Sequence, residues 1–117
     1  MADNNSLRVS KPWGFEEILE KNDDYVLKKL TMFKGHRCSL QYHEEKRETI
    51  FVVSGLLGLE TGPHLDRLTF EQYSPGDCFT LDPLKIHRMS AIEDCVYLEA
   101  STPELHDVVR LQDDYNR

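Results

Sequence analysis

The sequence has no apolar run near the roughly 20 residues that cross a bilayer as a helix. That excludes a helical membrane anchor within it. Its first residues, Met1-Ala2-Asp3-Asn4-Asn5-Ser6, lack the basic start and apolar stretch of a secretion signal. Basic residues are in deficit: 14 Lys and Arg stand against 21 Asp and Glu, a net charge of −7. Nucleic acid is therefore not an expected partner, because a phosphate backbone needs a basic face. A single small anion in a local pocket stays compatible with this balance. Cysteine is scarce: Cys38, Cys78 and Cys95 are far apart, with no Cys-x-x-Cys spacing. That argues against a thiolate zinc site, and the three read as reduced thiols, small core residues of a cytoplasmic protein. Repeats, low-complexity tracts and sustained helical periodicity are all missing.

What is present is short strand after short strand in 117 residues, the length of one domain. Strands are expected at 15–19, 25–33, 38–43, 48–54, 56–60, 68–71, 77–81, 87–90, 95–100 and 108–111. Turn signals separate them, among them Lys34-Gly35, Gly55, Gly62-Pro63, Ser74-Pro75-Gly76-Asp77 and Asp82-Pro83. Ile50-Phe51-Val52-Val53 is apolar at every position, which predicts a strand buried on both faces. Many short strands at this spacing predict an all-β sandwich or small barrel, with a jelly roll as one closed solution. A polar segment at 1–10 is expected to precede a single domain at 11–117.

Four side chains with metal-binding atoms fall at suggestive places: Gln41, His43, Glu48 and His87. Gln41 and His43 are two apart on an expected strand, so they share a face, with Cα atoms about 6.6 Å apart. Glu44-Glu45-Lys46-Arg47 reads as a polar hairpin loop, and an antiparallel return would bring Glu48 beside His43. His87 is distant in the chain and joins them only in a closed β architecture.

The spacing from Gly35 through Gln41, His43 and Glu48 to Gly55 resembles the first motif of the cupin family, with Gln41 where His is usual. Gly76, Asp82-Pro83 and His87 resemble the second cupin motif. Leu84 stands where that motif has Gly, and Ala91 where it has Asn. A narrower resemblance is to type II mannose-6-phosphate isomerases (phosphomannose isomerases). It is carried by Lys11-Pro12-Trp13-Gly14, Ser39-Leu40-Gln41-Tyr42-His43, Val52-Val53-Ser54-Gly55 and the closing stretch from Val109 to Arg117. It covers the C-terminal isomerase-type domain of that family and implies no GTP-dependent chemistry. The resemblance implies a single cupin jelly-roll barrel, a homodimer, and a metal-dependent isomerase of carbohydrate metabolism acting on a phosphorylated sugar.

Two imidazoles, an amide oxygen and a carboxylate suit one divalent ion: zinc foremost, with cobalt, nickel, manganese or iron also compatible. An aldose–ketose isomerase needs positive charge beside two substrate oxygens while an enediolate develops, and a base that moves a proton between C2 and C1. Glu99 is the leading base candidate, with Tyr97, on the same strand face, as a hydrogen-bond donor. Pairing of Glu99 with Lys28 or Lys29 is its structural alternative. Arg37, Lys46 and Arg88 are the expected substrate-binding cations, with Lys11 and Arg110 also able to meet a phosphate. Arg37 shares strand parity with Gln41 and His43 and so is expected to face the same cavity, whereas Arg88 has opposite parity to His87. Trp13 reads as a core or lid aromatic, and Asp113-Asp114-Tyr115 as an ordered tail. Two rival functions stay open: another metal-cupin enzyme (lyase, epimerase or dioxygenase) on a small acid or sugar, and a non-catalytic sugar-binding cupin.

Overall fold

Alternation along the chain builds the fold, strand by strand. The computed structural model describes residues 7–104 and 106–116. Among them are eleven strands: β1 (Leu7–Lys11), β2 (Gly14–Lys21), β3 (Val26–Met32), β4 (Leu40–His43), β5 (Glu48–Ser54), β6 (Leu57–Gly62), β7 (Thr69–Tyr73), β8 (Cys78–Leu81), β9 (Ile86–Ala91), β10 (Cys95–Ser101) and β11 (Val108–Gln112). In β10, Cys95, Tyr97, Glu99 and Ser101 are buried while Val96, Leu98 and Ala100 turn away. That is the period of two expected of a sheet with one covered face.

The strands form two antiparallel sheets. The larger has the order β1-β2-β3-β10-β5-β8, the smaller β11-β4-β9-β6-β7. Their inner faces meet over a core that includes Trp13, Met32, Ile50, Val52, Leu57 and Met89. Each buried side chain of this size stabilises the fold by roughly 1.5–3 kcal/mol. A core of this kind offsets the cost of burying Lys46, Glu48 and Glu99, all below 9 % exposed, between the same two layers. The all-β expectation holds, as a two-sheet sandwich. Among the described residues no helix is long and apolar enough to cross a membrane.

Residues 7–10 of the polar N-terminal segment pair with β2 as β1, while residues 1–6 lie outside the described residues. Three local expectations are corrected. The run at Ile50–Val53 is buried on one face only, with Phe51 and Val53 42 % and 44 % exposed. No third layer covers the outer face of the large sheet among the described residues. Cys78 is exposed rather than a core residue, because it stands on the outward face of edge strand β8, whereas Cys38 and Cys95 are buried. Finally, β4 and β5 are not a hairpin, because they lie in different sheets. The loop at 44–47 carries the chain across the gap. Asp107 satisfies this corner: its carboxylate accepts from the backbone N–H groups of Glu44, Glu45 and Lys46 at 3.0, 2.6 and 2.9 Å. These donors, Glu45 first, hold the Asp107 carboxyl below its ordinary range.

Two turns carry unusual backbone. Gly55 has φ +83°, and a Cβ there would lie 2.0 Å from the Asp94 carbonyl oxygen, so no side chain fits between these two turns, each of which carries the chain from one sheet to the other. Leu84 also lies in the left-handed region, at φ 71°, although it has a full side chain and is 62 % exposed. The turn before His87 thus keeps the conformation a glycine adopts without strain, anchored by the Leu84 N–H donating to the His43 carbonyl at 2.6 Å. Leu84→Gly is expected to raise stability by up to about 1 kcal/mol, since strain relief exceeds the added unfolded-state entropy. The check is the thermal midpoint, which rises by a few degrees. A clear fall would show that the exposed Leu84 side chain, not the turn geometry, dominates.

Candidate metal centre

The centre draws its side chains from both sheets. His43 ends β4 and His87 lies on β9, both in the small sheet, while Glu48 opens β5 in the large one. Register aligns the first two strands, because Gln41 pairs with His87 across β4 and β9. Glu48 reaches them over the corner at 44–47. One ligand atom each from His43, Glu48 and His87 lies within 4.8 Å of the others, and all three residues are buried. His43 Nε2 is 3.7 Å and His87 Nε2 3.1 Å from Glu48 Oε1.

Backbone carbonyls set both imidazoles. His43 Nδ1 donates to the Asp107 carbonyl at 2.8 Å, and His87 Nδ1 donates to that of Lys85 at 2.9 Å. A carbonyl can only accept, so each Nδ1 carries a proton and each Nε2 faces the centre. Burial pushes the His43 imidazole below its ordinary pKa, against the pull of Glu48, so its Nε2 lone pair is available near neutral pH. Burial opposes ionisation of Glu48. The His87 contact and the Lys46 charge outweigh it and hold the carboxyl well below the usual range.

This arrangement fits a cation. Glu48 Oε1 and His87 Nε2 are buried with no hydrogen-bond partner, though they face each other at 3.1 Å. A carboxylate oxygen and an imidazole nitrogen this close are favourable only with positive charge between them, either a proton on Nε2 or a bound cation in its place. Two nitrogens and a carboxylate oxygen, each oriented from outside, are a sound donor set for a divalent ion. Gln41 stands beside them. Its Nε2 lies 3.4 Å from His43 Nε2, while Oε1 accepts from the Ser39 hydroxyl at 2.5 Å. Rotating the terminal amide half a turn exchanges the two atoms and would present Oε1 instead.

A cavity of about 130 Å³ opens over the centre. Trp13, Leu30, Met89, Tyr97 and Val108 supply its apolar wall. Trp13, expected as a core or lid aromatic, is 4 % exposed and serves as wall. Glu99 and Tyr97 both face this cavity, as their shared strand parity requires. Lys46 Nζ lies 3.2 Å from Glu48 Oε2 and 3.4 Å from Glu99 Oε2. Burial would discharge Lys46, but Glu99 and Glu48 keep it charged, above the ordinary lysine range. Burial, with the nearby Glu48 charge, pushes Glu99 up to about 7 against the charges of Lys46 and Lys28. Burial also raises the Tyr97 phenol well above its usual value, so it stays a donor.

Two expected substrate-binding cations lie elsewhere. Arg37 pairs with Asp114, Nε to Oδ2 at 2.7 Å and Nη2 to Oδ1 at 2.9 Å, and does not line the cavity. The parity argument fails because the regular strand begins at Leu40, so alternation does not extend back to Arg37. Arg88 is 3 % exposed on the face of β9 opposite His87, where Nη2 donates to the Gln112 carbonyl at 3.1 Å. Lys46 does face the cavity, but its ammonium is held between two carboxylates. The tail expected at Asp113-Asp114-Tyr115 packs on the barrel, with the Tyr115 hydroxyl 3.0 Å from His36 Nδ1. Arg117 lies outside the described residues.

Sequence reasoning missed Glu16, which lines the cavity at 8 % exposure with Lys28 Nζ 3.3 Å from its Oε1. Strand alternation from the buried face of β2 was the available signal. It also missed Asp107, for which no local pattern exists.

Comparison with known proteins agrees with this architecture. The chain is 27% identical over 110 residues to the xanthan biosynthesis protein XanB of Xanthomonas campestris pv. campestris (strain B100), covering 94% of this chain and 24% of that protein. It thus spans about a quarter of this curated relative's length. Among solved structures, KdgF from Halomonas sp. superposes with a TM-score of 0.74 at 20% identity, over 86% of this chain and 90% of that one. CapF, the capsular polysaccharide assembling protein of Staphylococcus aureus, gives 0.79 at 17% identity, over 92% of this chain and 34% of that one. At those identities the two structures establish the fold alone. The model of the family described as mannose-6-phosphate isomerase C-terminal matches residues 2–93, which include all four metal-ligand candidates. On that match and this fold, the chain belongs to the mannose-6-phosphate isomerase C-terminal family, as a cupin domain.

Proposed function

We propose that the chain is a metal-dependent aldose–ketose isomerase acting on a mannose-6-phosphate-like sugar phosphate. The observation that carries this reading is the buried His43–Glu48–His87 cluster, with its facing, unpartnered Oε1 and Nε2 atoms, beneath a cavity that Glu99 also faces. Family membership supports the substrate class. XanB, named for xanthan biosynthesis, supports a place among enzymes that prepare sugars for polysaccharide.

His43, Glu48 and His87 would hold the ion, with Gln41 as a fourth donor after its amide rotates. A divalent ion there would supply positive charge that offsets the negative charge developing on the substrate as its carbon-bound proton leaves. Glu99 takes the C2 proton of the open-chain aldose and returns it to C1, while a hydroxyl proton passes from O2 to O1. Lys46, 3.4 Å away, positions the Glu99 carboxylate. The Tyr97 hydroxyl is the donor nearest in role. Trp13 and Leu30 exclude water from the reacting carbons.

Incubating the metal-loaded protein with mannose 6-phosphate in deuterium oxide tests this. Fructose 6-phosphate carrying solvent deuterium at the transferred carbon position is expected by NMR. Binding with no carbon-bound exchange would make the chain a sugar-binding module. Turnover of small sugar acids instead would assign it to another cupin chemistry. Glu99→Gln is expected to retain the metal and lower kcat by at least about 100-fold. Unchanged turnover would remove Glu99 from the base role.

A further inference from the structure

The cavity is locally cationic in an acidic chain. Its walls carry four cations, Lys11, Lys28, Lys46 and Arg110, against the carboxylates of Glu16, Glu48 and Glu99. The pairing inside it is uneven. Lys28 lies 3.3 Å and Lys11 3.9 Å from Glu16, and Lys46 sits between Glu48 and Glu99. Arg110 enters no ion pair among the described residues, and it is solvent-exposed while lining the cavity.

Its place in the sheet is specific. Arg110 pairs with Gln41 across β11 and β4, and Gln41 pairs with His87 across β4 and β9. One row of the small sheet therefore runs from an unpaired guanidinium, through an amide, to a buried imidazole of the metal cluster. Two strand spacings, about 10 Å, separate its ends. That span suits an extended sugar whose first two carbons lie over the imidazoles. Across the opening, Lys11 ends β1, the edge strand of the other sheet, and its side chain is 27 % exposed. The cavity mouth is thus flanked by one cation from each sheet edge.

We infer that Arg110, with Lys11 opposite, forms the subsite for the terminal oxyanion of the substrate, a phosphomonoester or a carboxylate. This rests on the sugar-isomerase reading for the orientation of the ligand, not for the existence of the subsite. A guanidinium offers two parallel N–H donors to such a group, and the ammonium adds a point charge. Arg37 and Arg88, cations the sequence suggested for this role, are tied down outside the cavity.

Calorimetric titration of the metal-loaded protein with mannose 6-phosphate, mannuronate and mannose separates the possibilities. Arg110→Ala is expected to weaken binding of the anionic sugar roughly tenfold or more, matching loss of a charge-assisted bond. Mannose binding stays within about twofold. Lys11→Ala loses about threefold in the same sense, and Arg110→Lys retains part of the affinity. Lys34→Ala removes an exposed cation that pairs with Glu93 and does not line the cavity; it leaves all three ligands unchanged and controls for net charge. Whichever of phosphate or carboxylate loses more with Arg110 is the natural terminal group. Equal loss for mannose and for both anions, or no loss for any, overturns the subsite, as does a wild-type protein that prefers mannose. Circular dichroism confirms that the variants are folded. The deuterium exchange measured separately keeps the two readings apart: anion-selective binding without exchange leaves the subsite and removes the isomerase.

Discussion

His87→Ala is expected to lose most of its bound metal. His87 is 1 % exposed, its Nδ1 is held by the Lys85 carbonyl, and its Nε2 stands 3.1 Å from Glu48 Oε1. Alanine removes one of the two nitrogen donors and leaves the Glu48 carboxylate with a weaker set. Losing a partner that only orients a ligand costs roughly 10–100-fold in affinity, so losing the ligand itself costs more than about 100-fold. His43→Ala removes the other nitrogen and behaves alike. The measurement is elemental analysis after dialysis against a weak chelator, with circular dichroism to confirm a native sheet. Full metal occupancy in both variants would remove the assignment.

Lys46→Met is expected to be the most destabilising single change at the site. The ammonium is 5 % exposed and is shared by Glu48 and Glu99. Without it two buried carboxylates line one cavity wall without their shared counter-charge, and one must take up a proton or the layers must part. Removing one partner of a buried ion pair costs about 3–5 kcal/mol. In a chain of this size that lowers the thermal midpoint by more than about 10 °C. The metal-free protein shows the full effect. Metal reduces it, because bound cation stabilises the folded state and takes over compensation of Glu48. Lys46→Met combined with Glu99→Gln recovers part of the loss, since a neutral amide needs no counter-charge. An unchanged midpoint in Lys46→Met with and without metal would show that the ammonium does not sit between the carboxylates.

The two variants probe different kinds of information. His43 and His87 were visible in the sequence, because a metal-ligating imidazole must occupy a fixed place in a strand and the spacing preserves it. Lys46 was expected to meet substrate, but its place between two buried carboxylates was not visible. As one residue of the charged run at 44–47 it looks like a solvated loop tip, and Glu44, Glu45 and Arg47 beside it are indeed exposed. Only the crossing of that loop between sheets, capped by Asp107, turns Lys46 inward. Glu99 and Tyr97 were legible as a pair from strand parity, which holds wherever the backbone is extended. Arg37 was misplaced by the same argument, because the stretch before Leu40 is not regular strand. Leu84 shows a third case. Leucine stands there in place of the motif's glycine, yet hydrogen bonding to His43 keeps the backbone in the left-handed region.

By itself the sequence determined the local terms: which segments are extended, which residues alternate inward, and which donor types stand in motif register. Those follow from backbone sterics and the period of two, which act between near neighbours. Tertiary structure alone decided that Glu48 meets the histidines from the opposite sheet, that Lys46 lies between two buried carboxylates, and that Arg110 rather than Arg37 flanks the cavity. These facts depend on how two sheets close over each other, and charges separated by tens of residues feel one another only after that closure removes the water between them.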